Sequence, residues 1–138
     1  MIHHATTLAL GIYCGSLLTE AFILVPYWRR MPPSEFLRLH GTMGPSLFRY
    51  FAPLTLAAAG LAILNGIIGH DDPVAVIVAL LAVAALATFP VYFRAANAAF
   101  ASGRLTEAEL PAELARWQAW HRFRTLLVIL AFGLSVVG

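Results

Sequence analysis

The sequence predicts an all-α fold: a four-helix transmembrane bundle running up-down-up-down, with both termini outside. Three observations predict it. Three long apolar runs and a shorter fourth divide the 138 residues, of which 60% are hydrophobic and 12% charged. The mean hydropathy of +0.78 is far above that of an ordinary water-soluble domain. All nine basic residues are arginines, and they gather in two places. Arg29, Arg30, Arg38 and Arg49 surround the end of run one and the start of run two, while Arg94, Arg104, Arg116, Arg122 and Arg124 surround the end of run three and the start of run four. The opposite ends and the loop His70-Asp71-Asp72 carry none. Short loops rich in arginine stay cytoplasmic, which orients all four crossings.

Span one runs from about Ala5 to Pro26, long enough for a hydrocarbon core of ~30 Å at ~1.5 Å per residue. No positive segment precedes it, Glu20 interrupts it and no small-x-small site follows, so it reads as a retained span and not a cleaved signal peptide. Gly11-Ile12-Tyr13-Cys14 is a poor lipid-attachment site because bulky Tyr13 stands before the cysteine. Cys14, the single cysteine, reads as a small packing residue. Tyr27 and Trp28 mark the inner interface, and Pro32-Pro33 stop the helix.

Ser34 to His40 reads as a short amphipathic segment on the membrane surface between helices one and two, N-capped by Ser34 and broken by Gly41 and Gly44. Span two then begins at Pro45 and continues to about Gly69, and His70-Asp71-Asp72-Pro73 is a tight outer turn. Span three covers about Val74 to Asn97, its apolar part ending at Phe93. Thr106-Glu107-Ala108-Glu109 is a capping box that starts the last helix, whose span is about Trp117 to Gly138. The uncharged part of that helix, Thr125 to Gly138, covers only about 20 Å at ~1.5 Å per residue. To cross, it must draw Trp120, His121, Arg122 and Arg124 toward the membrane, or the bilayer must thin while the arginines snorkel. Four spans and short loops consume the chain, leaving one domain over residues 1–138.

Helical spacing sorts the polar groups. Trp117, His121, Arg124 and Val128 share one face, Tyr13, Ser16 and Glu20 share a stripe on span one, and Arg49, Pro53, Leu56 and Gly60 align on span two. Glu20 and Arg124 each lie about six residues from the inner end of their spans, roughly 9 Å deep. An isolated carboxylate at that depth costs on the order of 2.5–3.5 kcal/mol, which an arginine at matched depth offsets. Glu20 is therefore expected to pair with Arg124 or Arg49, with His121 close by, in a polar pocket open to the cytoplasmic side. The same pair also has a plain packing role, since buried ion pairs fix registry.

His121 suits a general base or a ligand, or an interfacial hydrogen-bonding group. His40 stands before glycines where the chain can fold back over the pocket. Trp117 and Trp120 suit an interfacial belt, with Trp120 also spaced to stack on Arg124. At the outer face His3, His4, His70 and Asp71, with Asp72, bring nitrogen and oxygen donors that suit a metal. They share no helical ligand spacing, which favours solvated ends instead. Gly11-x-x-x-Gly15 and the alanines of span three (Ala79, Ala82, Ala85) allow close helix approach inside the bundle or between subunits of a homo-oligomer. Pro53 and Pro90 free the carbonyls of Arg49 and Leu86.

Orientation accounts for the arginines, so no basic face is left for nucleic acid; the expected partners are the bilayer and a small lipophilic ligand. HExxH, CxxC, nucleotide-binding glycine, P-loop and GxSxG motifs are absent, as is an inverted repeat of broken helices.

Thr88-Phe89-Pro90-Val91-Tyr92, then Asn97, then Trp117 and Trp120-His121-Arg122-Phe123-Arg124-Thr125-Leu126-Leu127 together resemble the anthrone-oxygenase-like family of small four-span membrane proteins. The recognisable stretch covers Thr88 to Leu127, and the length and topology fit the whole chain. The resemblance implies a membrane oxygenase acting on an anthrone-like aromatic substrate without a required cofactor, in a bacterial cytoplasmic membrane. It assigns Asn97, Trp117, His121 and Arg124 to the site. With the residue reading added, Glu20, His121, Arg124 and Asn97 are the candidate catalytic set, and His40, Arg49, Trp117, Trp120 and Tyr13 the candidate substrate-binding set. The residues alone leave open a haem- or metal-binding bundle and a non-catalytic ligand-binding or assembly protein.

Overall fold

A computed structural model describes residues 1–138. The chain is all-helical and forms four long helices, α1 (Ile2–Arg30), α2 (Pro33–Ile68), α3 (Pro73–Ala101) and α4 (Leu110–Val137), each long and apolar enough to cross a membrane. Joined by short turns, they run up-down-up-down as an integral membrane bundle. The arginine-rich end is formed by the end of α1, the start of α2, the end of α3 and the start of α4. Measured ~30 Å from the opposite end, the hydrocarbon core reaches roughly Phe22, Phe48, Phe93 and Gln118 on the four helices.

Two helices are interrupted by π turns, Glu20–Leu24 in α1 and Phe89–Phe93 in α3. Val25 N–H donates to the Glu20 carbonyl and Arg94 N–H to the Phe89 carbonyl, each five residues back. Proline explains both. Pro26 and Pro90 supply no N–H and crowd the preceding turn, so the chain takes up one extra residue there. The Leu86 carbonyl that Pro90 leaves unserved accepts instead from Phe89 N–H. Span one therefore does not end at Pro26, and the helix carries on to Arg30.

The amphipathic segment is not a separate element. Pro33 to Ile68 is one helix, passing through Gly41, Gly44, Pro45 and Pro53, and Ser34 makes no capping bond. Packing decides this. Phe36 and His40 are buried among Trp28 and Phe100, with Phe36 stacked on His40 at 3.9 Å and Phe100 edge-on to Phe36 at 5.2 Å. That burial outweighs the roughly 1 kcal/mol cost of each glycine in a helix.

Toward the opposite end the helices meet through small residues. A Cβ placed on Gly66 would lie 2.6 Å from Ala79 Cβ and 3.2 Å from the Ala75 carbonyl oxygen, so α2 and α3 touch almost backbone to backbone. Gly11 likewise faces the Phe132 ring of α4, which assigns its close approach to the inside of the bundle. Lipid offers no hydrophobic driving force between helices, so such packing and cross-helix hydrogen bonds do the work. Thr6 reaches the Leu61 carbonyl at 3.1 Å and Thr7 the Ser135 carbonyl at 3.0 Å. We expect Gly66→Val to lower stability by about 1–3 kcal/mol through overpacking. Gly60→Val, where a Cβ meets nothing within 4 Å, should change it by less than about 0.5 kcal/mol in the same detergent unfolding assay.

The turns follow their sequence signals. Asp72 Oδ1 accepts from Val74 N–H at 2.9 Å and Pro73 opens α3. The capping box closes in both directions: Thr106 N–H donates to Glu109 Oε2 at 2.9 Å, and Glu109 N–H donates to Thr106 Oγ1 at 3.3 Å. The Thr106 N–H, helped by its hydroxyl, holds the exposed Glu109 carboxyl below the usual range.

Candidate functional site

The apolar walls of the bundle enclose a cavity of about 500 Å³ between its middle and its arginine-rich end. Its shape follows from side-chain size. The tight alanine and glycine contacts of the outer half give way to Phe48, Phe51, Phe89 and Phe93, which hold the helices apart. Trp28, His40, Phe100 and Trp117 form the floor, with Trp28 edge-on to both His40 (4.7 Å) and Trp117 (6.1 Å).

Glu20 and Arg124 project into this space from α1 and α4. Glu20 Oε2 lies 3.6 Å from Arg124 Nη2 and 3.6 Å from His121 Nδ1, and both charged side chains are nearly enclosed, at 6% and 12% exposure. The π turn that begins at Glu20 sets its direction, since buried positions step from Glu20 to Val25 across five residues and not the usual three or four. The Arg124 guanidinium carbon sits 4.1 Å from the centroid of the Phe93 ring, the last residue of the second π turn. Trp120, expected to stack on Arg124, instead lies parallel to Tyr92 at 5.2 Å.

His121 is fully buried behind the pair and does not line the cavity. Arginine can only donate, so Arg124 Nη2–H donates to His121 Nδ1 at 2.9 Å. The proton must then be on Nε2, which donates to the Leu17 carbonyl at 3.2 Å. Both ring nitrogens are thus engaged. This geometry gives His121 the work of holding Arg124, with Trp117 stacked on its ring at 5.1 Å, and leaves it no free lone pair for a ligand.

Asn97 and Trp117 meet as partners: Trp117 Nε1–H donates to Asn97 Oδ1 at 2.9 Å, and both line the cavity. Tyr13 and His40 line it too. His40 Nδ1–H donates to the Phe36 carbonyl at 3.2 Å, so its Nε2 carries the lone pair. Three buried polar atoms have no hydrogen-bond partner in the protein: Tyr13 Oη, Glu20 Oε2 and Arg124 Nε. All three belong to residues lining this one cavity.

Two candidate binding residues fall outside it. Trp120 is one. Arg49 is the other: it is exposed, with its guanidinium 3.4 Å from Ser46 Oγ, and makes no pair with Glu20. The stripe Arg49-Leu56-Gly60 faces out of the bundle, while Ala58, Ala62 and Asn65 form the buried face of α2. At the inner edge of the hydrocarbon, Arg49 can snorkel to headgroups without a partner. At the other end of the bundle, His70 lies 3.4 Å from Asp71 and the His3 and His4 rings meet edge-on at 5.5 Å. No three His, Cys, Asp or Glu side chains converge anywhere as a metal site.

Sequence reasoning overlooked Trp28, read as an interfacial marker but 3% exposed and part of the cavity floor. The signal was present in Pro26, whose π turn rotates the following turn inward. No known protein family, curated protein or solved structure matches the chain.

Proposed function

We propose that this protein is a membrane oxygenase that takes a small lipophilic aromatic molecule, of the anthrone type, into the cavity beside Glu20 and Arg124. The observation that carries the reading is the convergence of three unpartnered buried polar atoms, on Tyr13, Glu20 and Arg124, in one aromatic-walled cavity. Buried polar atoms without partners are rare, and here they face a space large enough for a tricyclic ligand.

The chemistry uses each group once. Glu20 takes a proton from the acidic methylene of the substrate. The resulting anion carries its charge largely on the ring oxygen, where Arg124 and the Tyr13 hydroxyl donate to it. Electrons pass from this electron-rich anion to dioxygen, the co-substrate. One oxygen atom becomes the new carbonyl on the former methylene carbon, and the other leaves as water with the two methylene hydrogens. His121 holds Arg124 in place, and Asn97 holds Trp117 as a wall for the flat ring. By the arginine bias, the host is a bacterial cytoplasmic membrane and the site opens near its inner leaflet.

The direct test is to reconstitute the protein in lipid nanodiscs, supply 1,8-dihydroxyanthrone and oxygen, and follow quinone absorbance with oxygen uptake. Protein-dependent quinone formation at one oxygen molecule per substrate is expected. A rate equal to that of empty nanodiscs rejects the reading.

A further inference from the structure

The cavity reaches the molecular surface sideways. Its back and floor come from buried residues of α1, α4 and the end of α3: Tyr13, Glu20, Trp28, Phe93, Phe100 and Trp117. The exposed lining residues are all on α2 and α3. Phe48 is 56% exposed and Leu56 62%, and Arg94 and Ala98 are exposed opposite them. Above this opening, α2 and α3 are locked together at Gly66, Ala75 and Ala79. Below it they meet again where Phe100 packs on Phe36 and His40. Between these closures, α3 is in its π turn, Phe89–Phe93, and the two helices part.

One contact bridges the gap. The rings of Phe48 and Phe89 lie 6.1 Å apart, tilted by 40°. Both also line the cavity. Phe48 and Phe89 sit near the inner edge of the hydrocarbon, and Leu56 lies about 12 Å deeper by helical rise. Water reaching the cavity along the bundle axis from the arginine-rich end would have to pass the Trp28–His40–Trp117 floor.

We propose that the gap between α2 and α3 is a lateral portal, closed by the Phe48–Phe89 pair, through which a flat lipophilic aromatic ligand enters from the inner leaflet of the bilayer. The proposal rests on the ligand-site reading above and adds the route and the two residues that control it. A ring pair held by one edge contact opens by side-chain rotation, without separating the helices. A molecule dissolved in lipid meets the pair directly, whereas one in water meets the floor.

The test uses 1,8-dihydroxyanthraquinone, a stable product-like probe that quenches tryptophan fluorescence, with the protein in nanodiscs and stopped-flow detection. Phe48→Cys and Phe89→Cys are combined in a Cys14→Ala background and bridged by a short bifunctional thiol reagent that reductant removes. Bridging should slow association and dissociation by about tenfold or more while leaving Kd within about twofold, and reductant should restore both rates. Phe48→Ala removes a ring that is mostly outside the core, so it covers the case in which the paired variant fails to fold. It should raise both rates by roughly threefold or more. Saturable binding with rates unchanged by the bridge, or by Phe48→Ala, overturns the portal and leaves the site standing. No saturable binding to the unaltered protein overturns the site and the portal together.

Discussion

Glu20→Gln is expected to lower quinone formation by about 10²–10⁴-fold, the range for loss of a positioned general base. The replacement keeps the size and shape of the side chain and removes only its ability to take a proton. Arg124 would stay in place, because it is also held by His121 Nδ1 and by the face of Phe93. Binding of 1,8-dihydroxyanthraquinone should accordingly change by no more than about threefold, since a carboxamide still offers a polar edge to the ligand. A fall in turnover without a matching fall in affinity identifies a group acting on the transition state. Wild-type turnover in Glu20→Gln would remove the carboxylate from the mechanism. His121 cannot inherit the role without surrendering either Leu17 or Arg124, and no other carboxylate lines the cavity.

The parts of this picture that sequence revealed are those governed by length and charge. Four apolar runs and one-sided arginines dictate the bundle and its order, because the bilayer penalises any other arrangement. The meeting of Glu20 with Arg124 also followed from depth alone: two opposite charges at matching levels have few other partners in lipid. What sequence hid was rotation. A π turn adds one residue and swings everything beyond it by about 100°, so the inward position of Trp28 cannot be read from an uninterrupted 3.6-residue repeat. Arg49 failed for a related reason. Its charge drew attention to the wrong face of α2, whose true inward face is the undistinguished Ala58-Ala62-Asn65 stripe. His40 was recognised, but its setting was not. Glycines and a proline read as breaks where the aromatic packing of Phe36 and His40 keeps the helix whole.

Arg124→Met is expected to cost about 3–5 kcal/mol of stability, the penalty for removing one partner of a buried ion pair. Two groups lose their donor at once. The Glu20 carboxylate, already without a hydrogen bond to Oε2, would keep no cation within reach, and His121 Nδ1 would be left buried and unserved. Adding Glu20→Gln should return most of that loss. The new carboxamide would sit where Oε2 now lies 3.6 Å from His121 Nδ1, and a small shift lets it donate there. A neutral pair of similar volume is often as stable as the ions it replaces. Thermal unfolding in one detergent, run as a double-mutant cycle, reads the coupling between the two sites directly. Coupling of several kcal/mol means that the two charges are held ionised against each other in a dry setting. Coupling near zero means that water reaches them, and a solvated carboxylate has no reason to stay poised for a proton from carbon. The stability cycle therefore bears on the chemistry without any substrate being present, and it can fail independently of the turnover assay.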